Sequence, residues 1–224
     1  ILIMPALSYY RCWKMLNLDS IETEDEMFNR WYVYITNFIG PDSHNEQKKI
    51  LHSHQEMDIF FSEFRRQLYS KGISRIGVFW AIHKSYSLAK GIEIDLIKAV
   101  VVHEHLPWPF EDILLDFKKA NFLMMTRDPR AAVAGIMKGR ISDFGYLPDF
   151  TFNTIFETWF QGIEMWKKYY EILGKRLKVV KNEDVHSDIE KSMRDLSAWL
   201  QIEFNHTMLV STYPSGKECL PDTR

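Results

Sequence analysis

The sequence predicts an α/β fold with three layers, a central and mostly parallel β-sheet flanked by helices. Three observations carry that expectation. Short apolar runs recur from residue 75 onward, and the stretches between them have helical spacing. The 224 residues are 46% hydrophobic and include 15 Phe, 10 Tyr and 7 Trp, enough apolar surface for a core. That composition excludes disorder as the main state. With 28 basic against 30 acidic residues the formal charge is −2, so no dominant positive field marks a nucleic-acid binder. A local anion pocket stays compatible with that balance. The length fits a single domain over residues 1–224, with a helical segment at about 22–72 before the main alternation.

Met27, Trp31, Ile35 and Phe38 recur at helical spacing behind the acidic start Glu22 to Glu26. A Gly40-Pro41-Asp42-Ser43 break follows, and a second helix is expected from Glu46 to Tyr69, closed by Lys71-Gly72. Then come four candidate strands: Ile76–Ile82, Ala99–Val102, Asn121–Thr126 and Leu177–Val180. Runs that are apolar on both faces suit a buried parallel sheet. Phe110–Lys119, with Ile113, Leu114 and Phe117 on one face, fits a right-handed crossover between the second and third strands. Helices are expected at Asp128–Lys138, at Phe150–Leu173 and at Ser187–Leu200, the last capped by Ser187 or Asp188. On the long aromatic helix, Phe152, Phe156, Trp159, Phe160, Ile163 and Trp166 read as the packed face. Lys138–Asp149, with Gly139, Gly145 and Pro148, reads as a mobile lid.

In this fold class ligands sit beyond the carboxyl ends of the strands. Two such ends carry chemistry. Val102 is followed by His103-Glu104-His105-Leu106-Pro107, and Met125 by Thr126-Arg127-Asp128-Pro129-Arg130. Asp128 can cap the helix that Pro129 begins. The amides and positive end of that helix favour an anion, and the planar guanidinium of Arg127 suits phosphate oxygens. The plainer alternative is a helix cap with solvated arginines.

Phe122–Ala134 and His105-Leu106-Pro107 together resemble the sulfotransferases that use 3′-phosphoadenosine 5′-phosphosulfate, a family with a P-loop-like nucleotide-binding α/β fold. Val179-Val180-Lys181-Asn182-Glu183-Asp184 with the helix after it, and Thr212-Tyr213-Pro214-Ser215-Gly216-Lys217, resemble later stretches of the same family; the likeness spans roughly residues 98–217. It implies that Arg127 and Arg130 hold the donor's 3′-phosphate, with Gly135 and Asn182 at further nucleotide positions and Lys217 in a loop over the nucleotide. It also implies His105 as the catalytic base. The family's Ser stands as Gly at position 135, and its Tyr as Asn at 182. The family's first loop corresponds to Ile1–Pro5 followed by Ala6-Leu7-Ser8-Tyr9-Tyr10-Arg11, where its lysine, glycine and threonines are absent and Ser8 and Arg11 are the candidates for the 5′ side. Glycine's absence matters because a Cβ hinders close approach of backbone to phosphate. A competing placement for that loop is Ile82-His83-Lys84-Ser85-Tyr86-Ser87. No nucleoside-triphosphate motif GxxxxGK[ST] occurs.

Sulfuryl transfer to a hydroxyl or amine needs positioned reactants, stabilised oxygens and a base near pH 7. His105 is the candidate base. His103 shares its face by the two-residue strand period, and Glu104 either orients an imidazole or is the base itself. Plain loop histidines are the alternative. His52-Ser53-His54 and His103-Glu104-His105 raise a metal reading, but a two-residue offset on a helix points imidazoles apart and no further ligands complete a set; no metal is expected. Asn205-His206-Thr207 is a sequon, close to a chance match. Cys12 and Cys219 read as free thiols in a reducing compartment, a bridge between them being the alternative. No run reaches the ~18 apolar residues of a membrane span. The expected location is therefore cytoplasmic, or the Golgi lumen if an anchor precedes Ile1. The expected activity is sulfuryl transfer to a small-molecule or carbohydrate acceptor. The alternatives are an inactive binding or scaffold protein of the same fold, and another nucleotide-dependent transferase such as a kinase-like enzyme.

Overall fold

A computed structural model describes residues 2–4, 7–43, 49–104, 110–144 and 151–210 of the chain. These fall into two compact units, residues 2–104 with 110–116, and residues 117–210. Among the described residues each unit holds its own pair of parallel strands. Strand–helix alternation with parallel pairing is what the described residues display.

In the first unit β1 (Leu2–Ile3) pairs with β2 (Val100–Val101), with Leu2 opposite Val100. Five helices accompany them: α1 (Tyr9–Met15), α2 (Glu24–Phe38), α3 (His54–Lys71), α4 (Arg75–Ala89) and α5 (Phe110–Asp116). The expected α2 forms, its N-terminus fixed by the Thr23 hydroxyl accepting from the Glu26 amide and by three acidic residues in the first turn. Its periodic residues Met27, Trp31 and Ile35 are buried, whereas Phe38 is exposed. Helix α3 begins at His54, not near Glu46. Ser53 accepts from the Glu56 amide, and the Glu56 carboxylate reaches back to the His52 amide at 2.7 Å, a reciprocal cap that sets the start.

Residues Ile76–Ile82 are not a strand. They lie inside α4, whose start is fixed by the Ser74 hydroxyl accepting from the Gly77 amide. A seven-residue apolar run cannot distinguish a buried strand from a buried helix, and here Val78, Phe79, Ala81, Ile82 and Tyr86 are buried around much of the helix. The same helix removes the alternative phosphate loop at 82–87, because the buried Ser85 hydroxyl donates to the Ala81 carbonyl one turn back. The core of this unit is aromatic. Tyr9 stacks on Trp31 and meets Phe79 edge-on, and its hydroxyl donates to the Arg75 carbonyl at 2.6 Å. Arg75 in turn binds Asp112 and Asp116 of α5, and Tyr10 donates to Asp116 at 3.0 Å. This mostly buried cluster fastens α5 to α1 and α4.

In the second unit β3 (Phe122–Thr126) runs parallel to β4 (Leu177–Lys181), from Phe122 opposite Leu177 to Thr126 opposite Lys181. The helices are α6 (Pro129–Phe144), α7 (Thr151–Leu173), α8 (Asn182–Ser187) and α9 (Ile189–Leu200). Asp188 caps α9 by accepting from the Lys191 amide, as expected. Two expectations are corrected. The strands are not buried on both faces, since Leu123, Met125 and Val179 are 43–53% exposed and alternate with half-buried neighbours. Among the described side chains of α7, Ile155, Tyr169 and Leu173 are buried, while Phe156, Phe160 and Ile163 are exposed; the side chains of Phe152 and Trp159 lie outside the described residues. Helix α6 also runs past Lys138, so the expected lid is helical through Phe144; residues 145–149 lie outside the described residues.

Candidate functional site

The carboxyl edge of β3 and β4 gathers four of the expected residues. Because Thr126 stands opposite Lys181, Arg127 and Asn182 are each the next residue beyond a paired strand end. Arg127 is exposed, and its Nη1 lies 3.6 Å from the point where a Cβ would stand on Gly135, two turns into α6. Arg127 and position 135 therefore share one small surface. Asn182 is half-buried in the first turn of α8.

The amides at the start of α6 are already engaged. The Arg130 amide donates to Asp128 Oδ1 at 2.8 Å, and the Asp128 amide donates to Glu183 Oε1 at 2.7 Å. The Arg130 guanidinium folds back onto Asp128 with contacts of 2.7 and 3.1 Å, and its side chain is 92% exposed. That pairing, with the backbone bonds, holds the Asp128 carboxyl well below the usual range. The Asp128 amide bond likewise lowers the Glu183 carboxyl. Of the two arginines expected to meet a phosphate, Arg127 lies beside a bare glycine, and Arg130 is committed to a carboxylate.

The other set of expected residues lies beyond β1 and β2. Ser8 is buried at the N-cap of α1, but its hydroxyl makes no capping bond. Glu104 supplies the acceptor instead: its Oε1 takes the Tyr10 amide at 2.8 Å, and the Arg11 amide also bonds this carboxyl. Its Oε2 is sealed from solvent and has no partner among the described residues. Burial outweighs these favourable bonds and pushes the Glu104 carboxyl up to about 7. Beside it, burial pushes the Cys12 thiol up to about 11, and the Tyr34 hydroxyl donates to the Cys12 sulfur. The Arg11 side chain is exposed, as is His103.

Thus the first unit brings Ser8, Arg11 and Glu104 to one edge, and the second brings Arg127, Gly135 and Asn182 to another. His105 and Lys217 lie outside the described residues, as does Cys219. Of the HxH pairs, His52 precedes the α3 cap and His54 pairs with Asp42 at 3.1 Å. No group of three or more metal-ligating side chains occurs among the described residues, and no described helix is long and apolar enough to cross a membrane. What sequence reasoning missed is the capping role of two glutamates, Glu104 and Glu183. Each acts on amides that are distant along the chain, 94 residues away for Glu104 and 55 for Glu183. No protein-family model, curated protein or solved structure matches the chain.

Proposed function

We propose that the protein is a sulfotransferase that moves a sulfuryl group from 3′-phosphoadenosine 5′-phosphosulfate to a hydroxyl or amine of a small-molecule or carbohydrate acceptor. The observation that supports this reading is the guanidinium of Arg127 lying beside Gly135 at the carboxyl edge of β3. In the resembled family those two positions serve one phosphate. The planar fork of donors on Arg127 suits phosphate oxygens. When bound, the co-substrate supplies the activated sulfuryl group. This chain's residues would bind the 3′-phosphate through Arg127 and take the acceptor's proton through His105, an imidazole being matched to that task near pH 7.

Titration calorimetry with 3′-phosphoadenosine 5′-phosphate tests the reading. Saturable binding is expected, weakened by about 1.5–3 kcal/mol in Arg127→Ala. No heat with folded protein, or binding indifferent to Arg127, overturns it. A second reading, a protein of this fold that binds without catalysing transfer, is favoured by the Glu104 carboxylate on the Tyr10 and Arg11 amides. Nucleotide binding without sulfuryl turnover across an acceptor panel, in His105→Ala and wild type alike, would select it.

A further inference from the structure

Within the first unit, a cavity of about 170 Å³ opens between α4 and the strand pair. Leu2 and Val100 of β1 and β2 form an apolar wall; Trp80, 42% exposed, and the buried His83 form an aromatic one. The His83 ring stays uncharged at neutral pH, because burial lowers it to about 4 and outweighs the opposing contact of Nδ1 with the Phe79 carbonyl at 2.8 Å. Positive charge comes from Lys84 and Lys98, which line the same cavity. Neither lysine has a carboxylate within ion-pair distance among the described residues. Glu63, whose carboxyl the Lys84 charge reaches, is held by Arg66 and Gln67. Lys84 and Lys98 thus set two ammonium groups beside an apolar, aromatic hollow.

The volume sets the ligand. An apolar cavity of about 150 Å³ accepts one benzene ring in another protein, so this one has room for a single ring. The lysines set the charge. We propose that the cavity binds a single-ring aromatic carboxylate, its ring between Trp80 and the strand wall and its carboxylate at Lys84 and Lys98. The assignment is independent of the sulfotransferase reading.

The test is a methyl-detected NMR titration of the full chain with sodium benzoate, with benzyl alcohol and acetate as the neutral and ring-free controls. Saturable shifts at the Leu2 and Val100 methyls are expected, with both controls at least tenfold weaker. Losing both lysines in Lys84→Met/Lys98→Met should weaken benzoate about tenfold, the sum of two partly exposed ion pairs, with an unchanged circular dichroism melt. Absence of saturation at those methyls overturns the proposal. So does benzyl alcohol or acetate matching benzoate on the wild-type protein, a comparison that needs no variant.

Discussion

Replacing Glu104 by Gln gives the sharpest test of the electrostatics around α1. Burial raises this carboxyl from 4.5 in the open chain to about 7, so the fold prefers its neutral form. For an acid with a raised value, the favourable contribution is complete below the open-chain value and is lost as pH rises through the folded one. Linkage over those two values gives a loss of about 2.5 kcal/mol between pH 5 and pH 8. Glu104 is only part-buried, and solvent screening reduces the figure to roughly 1–2 kcal/mol. Glutamine keeps an oxygen for the Tyr10 amide and has no charge to lose. Relative to wild type, Glu104→Gln should therefore gain about 1–2 kcal/mol between pH 5 and pH 8, or about 2–8 °C in Tm at 2–4 °C per kcal/mol for a chain of this size. Urea unfolding of both proteins at the two pH values measures it. Taking the difference cancels every other titrating group, His83 included. A variant-minus-wild-type difference constant to within about 0.5 kcal/mol would refute the reasoning.

Gly135→Ser should fit, because its Cβ meets only Arg127 Nη1 at an ordinary 3.6 Å; the added hydroxyl should raise affinity for 3′-phosphoadenosine 5′-phosphate about fivefold, read by calorimetry. Arg75→Met leaves Asp116, whose side chain is only 12% exposed, with Tyr10 as its remaining partner. It should cost about 3 kcal/mol in urea unfolding, whereas a cost under about 1 kcal/mol would show that α5 is held by other means. His83, lowered to about 4, contributes stability that is complete above about pH 6.5 and lost as pH falls through 4. His83→Leu should thus flatten the acid limb by about 2 kcal/mol near pH 5, and an unchanged limb in thermal melts would contradict this.

Where side chains act on their own segment, the sequence was readable. Phe122–Thr126 and Leu177–Lys181 are short apolar runs bounded by polar residues, and they form the strands expected of them. Asp188 caps its own helix, and the acidic turn before Met27 opens α2. Failure came where burial surrounds an element. Ile76–Ile82 looks two-sided because α4 is covered around much of its circumference, and only the Ser74–Gly77 cap betrays a helix. On α7 the aromatic stripe misled in the opposite sense: Phe156 and Phe160 have helical spacing without burial. A pattern reports which residues share a face, and it does not report what covers that face. The strand-edge residues were legible as types. Their engagement was not, because Glu104 and Glu183 reach amides from remote parts of the chain.

Those two glutamates bear directly on how a nucleotide could bind. At the edge of β3, Arg127 is exposed, its charge reaching the Glu183 carboxyl, while the neighbouring amides are filled. At α1, Ser8 and Arg11 flank amides that already carry the Glu104 carboxyl. If the 5′-phosphate of the proposed ligand is held by the Ser8–Arg11 segment, a charged Glu104 beside it is disfavoured, since like charges repel. The carboxyl must take a proton or leave. With its value already near 7, protonation is the smaller cost, so binding at pH 7.5–8 should take up close to one proton. The ligand's own phosphates push the other way, because a positive site releases protons from groups titrating near pH 6. Calorimetry of 3′-phosphoadenosine 5′-phosphate in two buffers of different ionisation enthalpy gives the net number, and Glu104→Gln isolates the glutamate's share. Uptake that disappears in the variant places the 5′-phosphate at α1. Equal proton release in both proteins removes Ser8 and Arg11 from the nucleotide site while leaving Arg127 untouched.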